Sequence, residues 1–327
     1  MFSMEKFFVK LNRDPSLQLS CSFIPSSKSS PPTSLIVFLN GISTPHKLWY
    51  PVAQLLRKDI ETCPPMLMYD RIGQQASIGR NRDVPGRPRG HGRDCLDAAH
   101  DLREVITYVG GKHLDISSTH VDTLRIIFVA SSVSCAIARL YAAEFPRTVT
   151  AMVFLDSTLA NSDTISVFPD PESPDFSPGS LPAGVTSELC ADARKKIALV
   201  YGSESKNAEG LWRGTLPGLL PHSDLPKLQG PEPGTPYVTV IKHDPDVFPR
   251  QVQQLVSLAP VMTTAYFDPA WHRYHEGLAQ ITSPELSKGP IIAKGCGHLI
   301  QRDNPQLVAT EVSEVIKKLS HDKQSRL

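Results

Sequence analysis

The chain has 327 residues, of which 40% are hydrophobic and 20% are charged, and its formal net charge is +1. This composition is ordinary for a globular protein, and so small a net charge gives no field that attracts nucleic acid. No apolar run approaches the roughly 20 residues that a membrane-spanning helix needs, and the first ten residues lack the pattern of a secretory signal. We therefore expect no nucleic-acid partner, no membrane span and no secretory leader.

The six cysteines are scattered, without the paired spacing of a metal site or a redox motif. We therefore expect free thiols, a reducing compartment and no structural metal. The residues are Cys21, Cys63, Cys95, Cys135, Cys190 and Cys296.

Apolar runs of strand length alternate with helical patterns along most of the chain. The predicted strands cover residues 35–39, 66–69, 125–130, 149–155, 237–241 and 290–293. The predicted helices cover residues 94–109, 135–145 and 307–319. This alternation predicts an α/β fold, with a mostly parallel central sheet covered by helices on both faces. Residues 6–11 and 17–23 predict an antiparallel hairpin at the edge of that sheet.

Two segments depart from this alternation. Residues 79–94 form a loop rich in arginine, glycine and proline, which is either solvated or in contact with an acidic substrate. Residues 157–236 are rich in proline and serine and contain only short helical patterns. An insertion of this length between two core strands is where a lid over a binding site would lie. We therefore predict a core in two parts, residues 1–156 and 237–327, with the lid between them.

The most informative segment runs from the strand at 125–130 through Ser131 and Ser132 into a helix. A nucleophile elbow holds its serine in a tight turn between a strand and a helix that cross closely. Small residues are therefore needed two positions before and two positions after that serine. Ala130 and Ser134 occupy these positions around Ser132, where glycine is usual.

The other registers of the elbow fit less well. Ser131 would be flanked by the bulky Val129 and Val133, and Ser134 lies one step too far beyond the strand, inside the predicted helix. Ser132 is therefore the candidate nucleophile. Alternatively, Ser131 or Ser132 caps the helix, because a serine oxygen accepts hydrogen bonds from the free N–H groups at a helix start.

The candidate base follows the strand at 290–293, in the turn Gly295-Cys296-Gly297-His298. The two glycines permit a sharp turn at the carboxyl edge of the sheet, and a neutral imidazole at that edge accepts the proton of a serine. The position of His298 between the last strand and the closing helix favours a base over an ordinary surface histidine.

A third group is needed to orient the imidazole and to stabilise its charged form. The order serine, acid, histidine along the chain places the acid after the strand at 237–241. Asp246 is the preferred acid, because a carboxylate several residues beyond that strand can reach His298. Asp244 in the same loop, and Asp156 directly after the preceding core strand, remain alternatives.

An oxyanion hole needs two N–H donors directed at the charge that develops during the reaction. One donor is expected to be the backbone N–H of Val133, the residue after the candidate nucleophile. The other is expected to be Ile42, in the loop Asn40-Gly41-Ile42, where Gly41 permits the turn. This set of residues implies no cofactor and no metal.

Taken in order, these elements resemble the α/β-hydrolase superfamily over nearly the whole chain. Asn40-Gly41 stands where members often have His-Gly, and residues 69–73 look like the family's segment after its fourth strand. A serine at the nucleophile position excludes the aspartate-nucleophile branches, the epoxide hydrolases and haloalkane dehalogenases. The family's catalytic triad positions are occupied by Ser132, Asp246 and His298.

The last three residues, Ser325-Arg326-Leu327, resemble the serine–basic–leucine signal that the peroxisomal import receptor recognises. Together with the N-terminus, this tail is similar to peroxisomal fungal hydrolases, including those of host-selective toxin biosynthesis. We therefore expect a peroxisomal protein, with a cytoplasmic location as the alternative.

The resemblance implies a serine hydrolase of secondary metabolism, which cleaves an ester, lactone or thioester of a small, largely apolar molecule through an acyl-enzyme. Two other hypotheses remain open. The same fold supports lyase, acyltransferase or cyclase chemistry, which product analysis distinguishes. The chain is alternatively a non-catalytic ligand-binding protein, which would bind a ligand tightly without reacting with acylating probes.

Overall fold

The computed structural model describes residues 3–27, 34–202, 205–231 and 234–324. Ten strands follow one another along these residues: β1 (Glu5–Leu11), β2 (Asp14–Ile24), β3 (Ser34–Leu39), β4 (Met66–Tyr69), β5 (Arg93–Asp94), β6 (Arg125–Ser131), β7 (Val149–Leu155), β8 (Leu211–Trp212), β9 (Tyr237–Lys242) and β10 (Ser287–Ile292). The C-terminal tripeptide, on which the peroxisomal prediction depends, lies outside the described residues.

Eight of these strands form one sheet, in the order β1-β2-β4-β3-β6-β7-β9-β10. Strands β1 and β2 form an antiparallel hairpin at one edge, and β2 is also antiparallel to β4. All remaining neighbours are parallel. The predicted mostly parallel sheet and its edge hairpin are confirmed. Since the parallel strands run in one direction, the loops after β3, β6, β7, β9 and β10 meet at one edge.

The helices are α1 (Tyr50–Asp59), α2 (Cys95–His113), α3 (Val133–Glu144), α4 (Ser187–Tyr201), α5 (Leu216–Leu219), α6 (Phe248–Val256), α7 (Pro260–Met262), α8 (Asp268–Leu278), α9 (Ile300–Asp303) and α10 (Pro305–Gln324). A π-helical turn, Thr263–Phe267, joins α7 to α8. Helices α2 and α3 pack on one face of the sheet, and α1 and α10 pack on the other. The prediction of helices on both faces is therefore confirmed.

The central strand β6 shows why the sheet needs both layers. Ile126, Phe128 and Ala130 belong to the apolar cluster that contains α2 and α3, whereas Ile127 and Val129 belong to the cluster that contains α1 and α10. Successive side chains of a strand point to opposite faces, so a continuous apolar run can only be buried between two layers.

The insertion, residues 157–236, leaves the sheet after β7 and returns at β9. It contains α4, α5 and β8, and β8 pairs in parallel with the short strand β5. Buried residues of α4 belong to the same apolar cluster as α2 and α3. The insertion is therefore packed against the core on the α2–α3 side.

Helices α1, α6 and α8 were not predicted. Each has a proline in its first turn, where proline is well tolerated because the N–H it lacks would have no intrahelical partner. On sequence alone the same proline also indicates a break. The omission of α8 matters, because this helix supplies two residues to the candidate site.

The arginines of the basic loop at 79–94 are partly neutralised within the chain. Arg87 pairs with Asp94 and Asp97, and Arg93 pairs with Asp97 and Asp101. These ion pairs fasten the loop to the start of α2. Arg80, Arg82 and Arg89 of the loop are exposed.

All six cysteines are buried free thiols, as predicted. Among the described residues, no helix combines the length and the apolar character needed to cross a membrane.

Candidate active site

The chain turns sharply at Ser132, between the end of β6 and the start of α3. The backbone of Ser132 has φ 58° and ψ −127°, a conformation that non-glycine residues rarely adopt. Its N–H donates to Leu155 O at 3.0 Å, which fastens the turn to the neighbouring strand β7. The structure thus places the strained residue of the strand–turn–helix unit at Ser132, the register preferred from the sequence. The hydroxyl of Ser132 accepts no cap hydrogen bond from the first turn of α3.

The two flanking positions of the elbow are occupied without glycine. Ala130 is fully buried in β6, and Ser134 is buried in the first turn of α3. The hydroxyl of Ser134 donates to Asn40 O at 2.5 Å and accepts from Arg71 Nη1 at 2.8 Å. The larger residue at the second flanking position is therefore accommodated by hydrogen bonds.

His298 lies beside Ser132, with its Nε2 3.0 Å from the serine Oγ. Gly295 in the preceding turn has φ +76°, and a Cβ on Gly297 would lie within 2.4 Å of the Gln251 side chain. That amide side chain accepts a hydrogen bond from the backbone N–H of His298 at 2.8 Å. The glycines therefore have separate roles. Gly295 makes the turn, and Gly297 leaves room for the Gln251 side chain, which binds the backbone of His298.

Asp156 is the carboxylate that contacts His298, with Oδ2 2.5 Å from Nδ1. It follows β7 directly, has φ +46° and is completely buried. Burial by itself would raise the pKa of this carboxyl, but His243 and His298 beside it hold the pKa well below its usual range. Ser132, His298 and Asp156 therefore form one continuous chain of hydrogen bonds.

The preference for Asp246 as the partner of His298 was wrong. The Asp246 side chain is 84% exposed and lies 3.8 Å from Lys294 Nζ, on the outside of the loop. Asp244, the second choice, is turned inwards but accepts from the backbone N–H groups of Gly295 and Asp246. Asp244 thus shapes the two loops that meet there, and neither aspartate contacts the imidazole.

Asp156 has a second histidine partner, which was not predicted from the sequence. Its Oδ1 lies 2.7 Å from Nδ1 of His243, the last residue before the Asp244 loop. The other ring nitrogen of His243 lies 2.7 Å from Asp268 Oδ1 on α8. His243 is completely buried, and Trp271, also on α8, packs its ring 5.8 Å from that of His298. A single histidine beside two aspartates gave no distinctive pattern in the sequence.

The expected oxyanion loop lies against Ser132. A Cβ added to Gly41 would come within 3.3 Å of the Ser132 Cβ, so glycine is needed for this close approach. Within the described part of the chain, the backbone N–H groups of Ile42 and Val133 make no hydrogen bond. Val133 is the first residue of α3, where a backbone N–H has no intrahelical partner. Both donors expected from the sequence are therefore unpaired at the elbow.

Arg71 binds the carbonyl groups of the expected oxyanion loop, Asn40-Gly41-Ile42. Its Nη1 donates to Asn40 O at 2.9 Å, and its Nη2 donates to Gly41 O at 3.0 Å. The guanidinium also pairs with Glu209, at 2.7 Å from Nε to Oε2. Both side chains are buried, so the charges neutralise one another in an environment that would not tolerate either alone.

Glu209 belongs to the insertion and reaches the oxyanion loop directly. Its Oε1 accepts from the backbone N–H of Ser43 at 2.5 Å, one residue beyond Ile42. The same oxygen accepts from Gln74 Nε2, which also donates to Gly41 O. The insertion therefore contributes a buried charge to the support of the loop. Neither the position nor the partner of Glu209 could be inferred from the sequence, since 138 residues separate it from Arg71.

Comparison with protein-family models gives a match to the alpha/beta hydrolase family over residues 36–311. No protein with a curated description matches the chain in sequence.

Solved structures of similar fold include three with hydrolase descriptions. A putative lipase from Acinetobacter baumannii is 16% identical, with a TM-score of 0.54, over 98% of this chain and 93% of that one. An esterase from Thermogutta terrifontis is 15% identical, with a TM-score of 0.50, over 96% and 98%. The epoxide hydrolase CorEH is 12% identical, with a TM-score of 0.53, over 97% and 100%. At such low identities these likenesses concern the fold alone.

The strained backbone at Ser132 predicts a difference in stability between two variants that lack the serine hydroxyl. Ser132→Gly should be more stable than Ser132→Ala by about 1 kcal/mol, because glycine adopts the observed φ and ψ without strain. Denaturant unfolding of both variants measures the difference. Ser131→Gly, in the regular strand next to it, should instead lose about 0.5–1 kcal/mol against the wild type. Equal stability of the two Ser132 variants would contradict the strain.

Removal of the charge of Glu209 should destabilise the protein, because Arg71 would remain buried without a counterion. We expect Glu209→Gln to lower the free energy of unfolding by about 3 kcal/mol. The matched control is Asp170→Asn, also in the insertion, which breaks a half-exposed pair with Arg194 and should cost less than about 1 kcal/mol. Similar small losses in both variants would show that the buried pair contributes little.

Proposed function

Because the chain belongs to the alpha/beta hydrolase family, we propose that it is a serine hydrolase that cleaves an ester, lactone or thioester of a small, largely apolar molecule. The observation that carries this proposal is the chain of hydrogen bonds from Ser132 through His298 to Asp156. Among the described residues, the only charged side chain that bonds His298 is Asp156.

In the proposed reaction, Ser132 Oγ attacks the substrate carbonyl and transfers its proton to His298 Nε2. The negative oxygen of the tetrahedral intermediate accepts hydrogen bonds from the N–H groups of Ile42 and Val133. His298 returns the proton to the leaving group, and an acyl-enzyme remains on Ser132. Water then attacks the acyl carbon with His298 as base, which releases the acid and regenerates the serine. Asp156 fixes the tautomer of His298 and stabilises its charged form.

A fluorophosphonate probe tests the nucleophile. We expect intact-mass spectrometry and peptide mapping to locate one adduct on Ser132, because an activated serine displaces fluoride from phosphorus. Labelling should be lost in Ser132→Ala and in His298→Ala, while both variants keep the wild-type circular dichroism spectrum. Absence of labelling in the folded wild type would count against the acyl-enzyme and favour a ligand-binding protein or a reaction without a serine nucleophile.

The choice of acid is tested by a pair of matched variants. Asp156→Asn should lower kcat/KM for p-nitrophenyl esters by about 10³–10⁴-fold, because the amide cannot hold His298 in the required tautomer. Asp246→Asn should leave kcat/KM unchanged, since that side chain is exposed and remote from the imidazole. If Asp246→Asn were the damaging variant, the assignment of Asp156 would be incorrect.

We further propose that the protein enters peroxisomes through Ser325-Arg326-Leu327 and acts in secondary metabolism. The support is the agreement of the tripeptide with the serine–basic–leucine signal. We expect a fluorescent protein that ends in the last 12 residues of the chain to be peroxisomal. The same fusion without the final Leu327 should remain cytoplasmic, and identical distributions of the two would contradict the proposal.

A further inference from the structure

The carboxylate of Asp156 is shared between two histidines. Oδ2 faces His298 Nδ1 at 2.5 Å, and Oδ1 faces His243 Nδ1 at 2.7 Å while also accepting from the His243 backbone N–H at 3.2 Å. His243 Nε2 in turn lies 2.7 Å from Asp268 Oδ1. Only His298 of the two histidines contacts Ser132, so the proposed reaction leaves His243 without a role.

The two partners of His243 determine its protonation. Ionised carboxylates only accept hydrogen bonds, whereas a neutral imidazole has one donor nitrogen and one acceptor nitrogen. Because both ring nitrogens face carboxylate oxygens at 2.7 Å, both must carry hydrogen, and the ring is an imidazolium. Burial opposes this charge, but Asp156 and Asp268 outweigh it and raise the pKa of His243 to about 9.

Neither Asp156 nor Asp268 is a suitable site for the proton that makes His243 an imidazolium. Burial would raise the pKa of Asp268 too, but its hydrogen bonds with His243 and Lys242 lower it. Lys242 Nζ lies 3.1 Å from the same Asp268 oxygen that faces His243. Asp156 is likewise held ionised by its two histidine partners. The cluster around His243 thus contains two carboxylates, Asp156 and Asp268, and two cations, His243 and Lys242, in addition to His298.

The aromatic side chains packed against the His243 ring are uncharged. The Phe248 ring stacks on it at 3.7 Å, and the Trp271 ring meets it edge-on at 5.6 Å. His275 on α8 is also completely buried, and burial lowers its pKa to about 3, so that it is neutral. The carboxylates of Asp244 and Asp303 accept hydrogen bonds from backbone N–H groups of the turn before His298.

A cation on one side of Asp156 changes what this carboxylate does for His298 on the other side. An isolated aspartate would strongly favour the charged form of His298. We propose that His243 is a positioning residue, which as an imidazolium fixes the orientation of Asp156 and offsets part of its charge, and thereby lets His298 act as a neutral base at lower pH. This inference rests on the proposed function for its catalytic part only.

His243→Asn is the direct test, because the Asn amide N–H₂ can replace Nδ1 as a donor to Asp156 without carrying a charge. Asp156 would then act on His298 with its charge uncompensated. We expect the acid limb of log kcat/KM to move to higher pH by about one unit, with the plateau reduced less than tenfold. His275→Asn, at the neutral buried histidine of the same region, should leave the acid limb in place. A folded His243→Asn variant with an unmoved acid limb would overturn the tuning role.

The charge itself can be tested without activity. Because folding raises the pKa of His243 from 6.5 to about 9, the protonated ring stabilises the folded state. This stabilisation is fully present below about pH 6.5 and is lost as the pH rises towards 9. The difference in unfolding free energy between wild type and His243→Asn should therefore shrink over this range. A constant difference would overturn the imidazolium, whatever the enzyme catalyses. If the difference in unfolding free energy shrinks but the fluorophosphonate does not label the protein, the proposed function alone would be rejected.

If His243→Asn does not fold, Asp268→Asn tests the charge of His243. This variant keeps an amide oxygen as acceptor for His243 Nε2 but removes one of the two charges that hold the proton. The loss of stability with rising pH should then still begin near pH 6.5, the pKa of histidine in the unfolded chain, but it should end at lower pH than in the wild type. An unchanged window would contradict the charged histidine.

Discussion

The buried carboxylate of Asp156 is the charge around which this edge of the sheet is built. It has no exposed surface, and burial of an uncompensated carboxylate would be strongly unfavourable. Its two oxygens are satisfied by histidines from two different loops, after β9 and after β10, and its backbone N–H bonds Ile241 O on β9. The carboxylate therefore holds together the ends of three neighbouring strands. Its second histidine extends this arrangement to α8 through Asp268.

A second buried ionic centre supports the opposite side of Ser132. Arg71 and Glu209 lie beneath the loop of Asn40 and Gly41, and the carbonyl oxygens of that loop point at the guanidinium. The guanidinium binds the carbonyl groups of Asn40 and Gly41, whereas the N–H of Ile42 has no partner among the residues that the structure describes. One charge of this pair comes from the insertion, so the packing of the insertion and the shape of the oxyanion loop are coupled. In that respect the insertion is part of the site.

The elbow without glycine is explained by the same centre. The usual glycine leaves room where the strand and the helix cross closely, and a side chain there would normally obstruct that contact. Ser134 instead places its hydroxyl between Asn40 O and Arg71 Nη1, so the extra atoms replace empty space with hydrogen bonds. A residue of similar size without a hydroxyl would remove one hydrogen bond from each of these two groups and leave them only the bond that they make with each other. The buried Arg71 therefore accounts for the serine, Ser134, at the position where the family usually has glycine.

The sequence by itself determined the main alternation of core strands and helices, the turn at Ser132 and the position of His298, and it predicted the two backbone donors. Each of these depends on a local pattern: apolar periodicity, small residues beside a strand end, or glycines in a tight turn. Only the tertiary structure decided between Asp156 and Asp246, because both follow core strands and differ only in which way the loop turns. It alone placed His243, Asp268 and Glu209 in the site. Their roles depend on contacts between residues far apart in the chain, and such contacts leave no periodic pattern in a single sequence.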